Sequence, residues 1–126
     1  MIAMHEMSIA NSLLDSVRTE ALRFPDQHIA TVGVRIGALA GVDPDSLRFC
    51  FEVLVKDSDL EPLELDIDYR RRRHQCQVCS ESFDAVYEDT PCPRCGTADS
   101  IFLSGDELEL AYLEVKDASN IERGRA

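Results

Sequence analysis

The stretch that decides the fold is residues 70–96, RRRRHQCQVCSESFDAVYEDTPCPRCG. It carries two Cys-x-x-Cys pairs with twelve residues between them, Cys76 with Cys79 and Cys92 with Cys95. Two residues between cysteines let one tight turn direct both sulfurs at the same ion, and Gly96 can take the positive φ that such a turn often needs. This spacing is typical of a tetrahedral four-thiolate site, so we predict structural Zn(II), with no open position for catalysis.

Two other chemistries fit the same cysteines. One is an iron centre like that of a rubredoxin electron carrier, because iron and zinc both accept four tetrahedral thiolates. The other is a pair of disulfides, which require an oxidising compartment. The chain opens MIAMHEMSIANSLLDS without the long apolar run of a signal peptide, which favours a metal. The fifth cysteine, Cys50, falls on the apolar side of a predicted helix and is predicted to be buried.

The composition limits the classes of function. With 126 residues, 44% of them apolar, the chain is long enough for one modest domain, or for one domain with a metal-held insertion. No apolar run approaches the roughly 20 residues of a membrane span. The net charge of -11 argues against a general nucleic-acid-binding protein. We find no nucleophile and base pair or phosphate loop, and therefore predict that the protein is not an enzyme.

Hydrophobic periodicity outlines the elements around the cysteines. Apolar residues four apart predict a helix over 8–23, alternation predicts a strand over 30–36, and Asp43 before Pro44 starts a second helix that runs to about 56. Alternation resumes over 63–70, at 101–103 and over 108–115, where a phase shift at Ala111 and Tyr112 predicts a β-bulge. The order predicts an α+β fold: a small three-stranded sheet, two helices on one face, and a four-cysteine zinc-ribbon insertion.

Three further features have two readings each. His5 and Glu6 lie just before the first predicted helix, where a histidine near the chain start can bind Ni²⁺ or Cu²⁺ with neighbouring amides; a solvated His and a Glu that complements the helix dipole are the alternative. We interpret His74 as a solvated or strand-end histidine, with a zinc-exchange ligand as the alternative. We interpret the four arginines at 70–73 as a solvated strand end, with contact to an acidic partner or nucleic acid as the alternative.

Taken together, three segments resemble the HypA/HybF family of hydrogenase nickel-insertion proteins. These segments are MHEMSIANSLLDSV at 4–17, VRIGALAGVDPDSLRFCFEVL at 34–54, and the two cysteine pairs ending in CPRCG. The combination of the Met-His-Glu opening, the Gly-Val-Asp-Pro turn and the four cysteines is specific, whereas each part alone is not. The resemblance extends over nearly the whole chain to about Val115.

The resemblance implies a cytoplasmic nickel metallochaperone. Such a protein binds Ni(II) transiently and works with a HypB-type GTPase to deliver it to the large subunit of NiFe-hydrogenase. The nickel ligands it implies are Met4, His5 and Glu6, beside structural Zn(II) on the four cysteines. The domain division expected from it is a nickel-binding α+β domain at 1–69 and 104–116, a zinc-binding domain at 70–103 and a flexible tail at 117–126. The alternative function is a zinc-ribbon module that binds protein or nucleic acid.

The sequence departs from the family at its start. The family's opening Met corresponds to Met4, which Met1, Ile2 and Ala3 precede. A free amine on Met1 would lie three residues away from the family's position, so the amine, amide and imidazole chelate could not form in the same way. We expect Met4 to be the functional start, because this restores the whole pattern.

Overall fold

The computed structural model describes residues 2–117, with side chains from His5 onwards. Its elements, in chain order, are α1 (Ile2–Ala21), β1 (Gln27–Gly37), a 3-10 turn (Ala38–Ala40), α2 (Pro44–Val55), β2 (Glu64–Arg70), β3 (Arg73–Cys76), β4 (Ser82–Asp84), β5 (Ser100–Ser104) and β6 (Leu108–Asp117). The predicted α+β class is confirmed. Of the expected tail at 117–126, Asp117 ends β6 and the rest lies outside the described residues.

The main sheet has three strands in the order β2-β1-β6. β1 is parallel to β2 and antiparallel to β6. The two helices pack against each other, with α1 chiefly on β1 and α2 on β2. The core between these layers is formed by alternating residues of β1 and by one stripe of each helix, including Ala10, Leu14, Val17, Val32, Val34, Ile36, Leu47, Cys50 and Phe51. Cys50 is 1% exposed, so its predicted burial is confirmed.

Helix α1 begins earlier than the sequence predicted. It starts at Ile2 rather than near Ser8, and therefore includes His5 and Glu6. The apolar stripe explains the extension: Glu6 lies four residues before Ala10 and eight before Leu14, so all three share the buried face. The helix ends at Ala21, four residues before Pro25, which disfavours the helical conformation of Phe24 and so prevents the helix from continuing past it.

Helix α2 begins as predicted. The side chain of Asp43, the N-cap residue, accepts a hydrogen bond from the Asp45 N–H at 3.0 Å, and Pro44 occupies the first helical position. The Ser46 hydroxyl donates to the other Asp43 oxygen at 3.1 Å. Both carboxylate oxygens of Asp43 are thus used to hold the start of the helix, which satisfies donors that the helix itself cannot.

The predicted bulge in β6 is present. Gly33 of β1 pairs with Tyr112, whereas the next residue, Val34, pairs with Leu110, so Ala111 is the extra residue. The bulge corrects the phase of the strand, because an unbroken alternation from Leu110 would direct Leu113 away from the helices. As a result the four apolar residues of β6 lie on the side that faces α1: Leu108, Leu110, Leu113 and Val115.

The cysteines belong to a second small sheet, here called the cysteine module, residues 73–104. Its strand order is β4-β3-β5, with both neighbours antiparallel to β3. The chain enters it from β2 and leaves it through Gly105, as expected for an insertion between two strands of the main sheet. Gly105 has a φ of 125° and lies close to the backbone of Arg72. A β-carbon on Gly105 would come within 2.7 Å of the Arg72 Cα. Only glycine fits this junction.

Candidate metal centre

The four cysteine side chains converge in the cysteine module. All four sulfurs lie within 4.8 Å of one another, and two of their separations are 3.4 Å for Cys76 and Cys95 and 3.6 Å for Cys79 and Cys92. A tetrahedral ion with bonds of about 2.3 Å to sulfur places its ligands about 3.8 Å apart, so the cluster fits one ion. A disulfide requires about 2.05 Å between sulfurs, and all four cysteines are free.

Each cysteine pair folds into the same turn. The N–H of the residue after the second cysteine donates to the carbonyl of the first, from Ser80 to Cys76 at 3.0 Å and from Gly96 to Cys92 at 2.9 Å. Both of these donors have positive φ, 66° for Ser80 and 80° for Gly96. The conformation predicted for Gly96 is therefore confirmed, and Ser80 adopts it despite its side chain. Two equivalent turns face each other across the sulfurs, which explains their convergence.

Backbone N–H groups point at the first sulfur of each pair. Val78 and Cys79 donate to the Cys76 sulfur at 3.3 and 3.4 Å, and Arg94 donates to the Cys92 sulfur at 3.4 Å. The hydrogen bond from Cys79, followed by that from Val78, lowers the pKa of Cys76 to about 7. Since the thiolate is the form that binds metal, the turns prepare Cys76 as a ligand near neutral pH.

His74 is buried, not solvated as the sequence analysis expected. It lies on β3, the central strand of the module, and is 2% exposed between the rings of Phe83 and Phe102. Its Nε2 accepts from Arg72 Nε at 2.8 Å, which leaves the proton on Nδ1 to donate to the Ser100 hydroxyl at 2.9 Å. Burial, and then the charge of Arg72, lower its pKa. With both nitrogens engaged, His74 is a structural residue of the module.

The arginines at 70–73 have partners inside the chain. Arg70 donates to Asp68 at 2.9 Å, and Arg73 donates to Asp84 at 2.6 Å. Arg71 forms a longer ion pair with Asp84, and Arg72 lies 6.0 Å from the centre of the Phe102 ring. The ion pairs with Arg73 and Arg71 lower the pKa of Asp84, and the hydrogen bond from Arg73 is the larger cause. Arg70 and Arg71 remain exposed, in agreement with the predicted solvated strand end. The partners within the chain weaken the interpretation of the run as a nucleic-acid contact.

The second group of predicted site residues lies in the first turns of α1. His5 is exposed, and its Nδ1 is 4.0 Å from a carboxylate oxygen of Glu6. Glu6 is fully buried, which the sequence analysis did not anticipate. One of its oxygens accepts the Asp43 N–H at 2.9 Å, and the other has no hydrogen-bond partner among the described residues. Met4 lies in the same helix, and its side chain is outside the described residues.

The structure therefore joins Glu6 to the start of α2, a link that the sequence analysis missed. The signal was present: Glu6 shares the spacing of Ala10 and Leu14 on the buried face of α1. Among residues 5–117, the four cysteines are the one group of three or more His, Cys, Asp or Glu ligands that converges, so the two predicted metal sites differ in kind. The cysteines form a closed set of ligands, whereas His5 and Glu6 form an incomplete one.

No helix of residues 2–117 is long and apolar enough to cross a membrane.

These features define a class: a small α+β protein in which a four-thiolate metal module is inserted between two strands of the main sheet. Residues 4–115 match the family model described as "Hydrogenase/urease nickel incorporation, metallochaperone, hypA". The chain belongs to the HypA family, as the three sequence segments indicated. The family is one of metallochaperones, in agreement with the prediction that the protein is not an enzyme.

Individual relatives agree with this assignment. The hydrogenase maturation factor HypA of Geobacter metallireducens is 36% identical over 113 residues, which cover 90% of this chain and all of that protein. The HypA of Methylocella silvestris is 33% identical over the same length, with the same coverage. Among solved structures, the nickel metallochaperone HypA of Helicobacter pylori has a TM-score of 0.56 at 27% identity, covering 86% of this chain and 95% of that one. A second HypA solution structure has a TM-score of 0.61 at 27% identity, covering 90% and 97%.

Proposed function

We propose that this protein is a cytoplasmic nickel metallochaperone that binds Ni(II) near its N-terminus and delivers it to the large subunit of NiFe-hydrogenase. A HypB-type GTPase is its partner in that delivery. Membership of the family supports the nickel cargo and the role in maturation. The observation that carries the proposal is the exposed imidazole of His5 beside the buried carboxylate of Glu6, at the first turns of a helix.

The proposed ligands suit a cargo that must be released. Met4, His5 and Glu6 supply nitrogen and oxygen donors, which Ni²⁺ accepts readily. The first four N–H groups of a helix have no acceptor within the helix, so an amide nitrogen there can lose its proton and bind Ni²⁺ without breaking a helical hydrogen bond. A site with few donors at the end of an element exchanges its ion more easily than a closed cage does. The Glu6 oxygen nearest the His5 imidazole, Oε2 at 4.0 Å, also accepts the Asp43 N–H, so a nickel ion bound by both side chains would share that oxygen with the start of α2.

The cysteine module has a different role in this proposal. Cys76, Cys79, Cys92 and Cys95 hold structural Zn(II), which closes the module and supplies no open coordination position. The sulfur separations support a single tetrahedral ion. Zinc or iron would both fit that geometry, and metal analysis of the purified protein distinguishes them. The two sheets support the domain division at 1–69 with 104–116, and at 70–103, which is part of the proposal.

The decisive experiment replaces His5 by Ala and measures Ni²⁺ by calorimetry, with zinc measured by elemental analysis. We expect specific Ni²⁺ binding to be lost while one zinc per chain and the unfolding midpoint are retained, because His5 is exposed and makes no core contact. The matched control is His28→Ala, which removes a half-buried histidine of β1 that contacts the Pro62 carbonyl. Stoichiometric nickel retained in His5→Ala would contradict the proposal.

A further inference from the structure

Beside α1 the main sheet has an apolar face that the rest of the fold leaves open. The four β6 residues that the bulge aligns form its floor, and they are only partly covered. Leu108 is 47% exposed and Leu110 is 38% exposed, while Leu113 and Val115 are half-buried. Contiguous apolar surface of this kind on a small protein marks an interaction site more often than isolated exposed residues do.

This face forms one side of a groove, here called the α1/β6 groove. It consists of two adjoining cavities of about 660 and 270 Å³, and Ser16 lines both of them. Its floor is the apolar side of β6, and its wall is the side of α1 that carries Ser12, Ser16 and Thr19. Small side chains on a helix allow another element to approach it closely.

The layer arrangement indicates what shape fits the groove. α1 packs chiefly on β1 and α2 on β2, so within residues 2–117 β6 has no helix of its own. Packed helices lie about 8–10 Å apart, which is the space needed for a third helix beside α1 and above β6. An amphipathic helix laid in an apolar groove is a recurring mode of recognition, with anchors spaced three and four residues apart.

The charges indicate the chemistry of the partner. Two acidic side chains of α1 line the groove, Asp15 and Glu20, and no lysine or arginine does so among the described residues. Glu20 is also paired with Arg23, and the Glu109 side chain pairs with Arg35 on the opposite face of the sheet. Among the described residues, Asp15 is therefore the groove carboxylate without an ion-pair partner. A second copy of the chain would bring a net charge of -11 against -11. Like charges disfavour that occupant, whereas a basic partner is attracted.

We infer that the α1/β6 groove is a docking surface for a cationic amphipathic helix of a partner protein. The apolar stripe of that helix covers Leu108 and Leu110, and its basic flanks face Asp15 and Glu20. The docked helix completes the helical layer over the main sheet. The inference does not depend on nickel binding, because the groove contains none of the proposed nickel ligands.

The test uses the full chain and a designed peptide of about 18 residues, long enough to form a helix in water, with leucines spaced three and four apart and lysines elsewhere. We expect it to bind, and we expect Leu110→Ser to weaken binding about tenfold, since one lost apolar anchor has roughly that effect. The double variant Asp15→Asn with Glu20→Gln should weaken peptide binding more at low salt than at high salt. NMR shifts should concentrate on β6 and on the groove side of α1.

Matched controls separate docking from general attraction to an acidic protein. Phe49→Ser removes an exposed apolar residue from α2, and Glu88→Gln with Asp89→Asn removes two exposed acids of the cysteine module. The inference is overturned if these variants weaken binding as much as the groove variants do, or if a peptide with Glu in place of Lys binds equally well. It is also overturned if sedimentation shows a dimer that Leu110→Ser dissociates, or if removal of residues 118–126 raises the affinity, which would assign the groove to the chain's own end.

Discussion

The ring of Tyr112 in β6 lies directly over the backbone of Gly33 in β1. A β-carbon on Gly33 would overlap the ring, so glycine at this position creates the space for it. The Tyr112 hydroxyl reaches across β1 and donates to Asp66 of β2, and this hydrogen bond raises the pKa of Tyr112. One side chain thereby ties all three strands together on the face opposite the helices.

We predict that Gly33→Ala destabilises the protein by about 1–3 kcal/mol, the usual result of overpacking. Alanine is otherwise the better residue in a strand by roughly 0.5–1 kcal/mol. The Tyr112 ring therefore decides whether Gly33→Ala destabilises or stabilises the protein. In a Tyr112→Ala background the same substitution should be neutral or stabilising. Urea unfolding of the four proteins measures the coupling. Equal costs of Gly33→Ala in both backgrounds would show that the ring is not responsible.

The bulge beside Tyr112 was predictable from sequence, whereas the stacking on Gly33 was not. An apolar phase shift at Ala111 is visible in the linear order of residues, because strand alternation is a local property. The contact between Tyr112 and Gly33 depends on the register between two strands far apart in the chain, which no local pattern reveals.

The two metal sites also differ in how far the sequence alone predicts them. The cysteines were predictable because ligand spacing within each pair is local, and the positive φ of Gly96 followed from its place after Cys95. The role of Glu6 depended on where α1 begins, and helix ends are the least certain part of a sequence reading. His74 was predicted to be solvated or at a strand end, and its burial arises from β4 and β5, which lie on either side of its strand.

We predict that Glu6 stabilises the start of α2 through its hydrogen bond from the Asp43 N–H. Glu6→Ala should cost about 1–3 kcal/mol, because it leaves a part-buried donor unsatisfied. Glu6→Gln keeps an acceptor for the Asp43 N–H, so it should cost less than Glu6→Ala; its remaining cost comes from the amide NH2 placed where the second Glu6 oxygen has no partner. Thermal or urea unfolding of both variants measures the difference.

The same pair of variants separates this structural role from the proposed nickel role. If the Glu6 carboxylate contributes to Ni²⁺ binding, Glu6→Gln should lower the nickel affinity while the hydrogen bond from the Asp43 N–H is retained. Nickel affinity unchanged in Glu6→Gln would restrict Glu6 to its structural role. The control is Glu52→Gln on the exposed side of α2, which should change neither property.

Removal of the metal should unfold the cysteine module and leave the main sheet folded. The buried cluster of the module consists of four residues, of which two are themselves ligands: Cys76, Phe83, Ala85 and Cys92. So small a core depends on the roughly 10–16 kcal/mol of apparent free energy that a structural zinc site contributes. After chelation, NMR signals of residues 73–104 should lose dispersion, while those of β1 and α2 persist.

Two cysteine variants provide the control. Cys92→Ala should lose the metal and reproduce the chelated spectrum. Cys50→Ala should keep one metal per chain and instead lower the stability of the main core, where Cys50 is packed between the helices and the sheet. One metal per chain retained by Cys92→Ala would contradict a four-thiolate site.

The nickel affinity should depend on where the chain starts. In a chain that begins at Met4, the free amine, the amide of His5 and the His5 imidazole can close adjacent chelate rings around a square-planar Ni²⁺. In the chain that begins at Met1, the amine lies three residues further away and a peptide carbonyl precedes Met4. We therefore expect at least about tenfold tighter binding for the shorter chain, measured by calorimetry at one pH, which corresponds to roughly 1.4 kcal/mol.

Acetylation of the shorter chain is the matched control for the amine. It keeps the length, the helix and His5, and removes only the donor in question, so the affinity should fall to that of the longer chain. His5→Ala in both chains should abolish the difference, because the imidazole anchors either donor set. Equal affinities of the acetylated and free forms would assign nickel binding to the side chains of His5 and Glu6, whose Nδ1 and Oε2 atoms lie 4.0 Å apart.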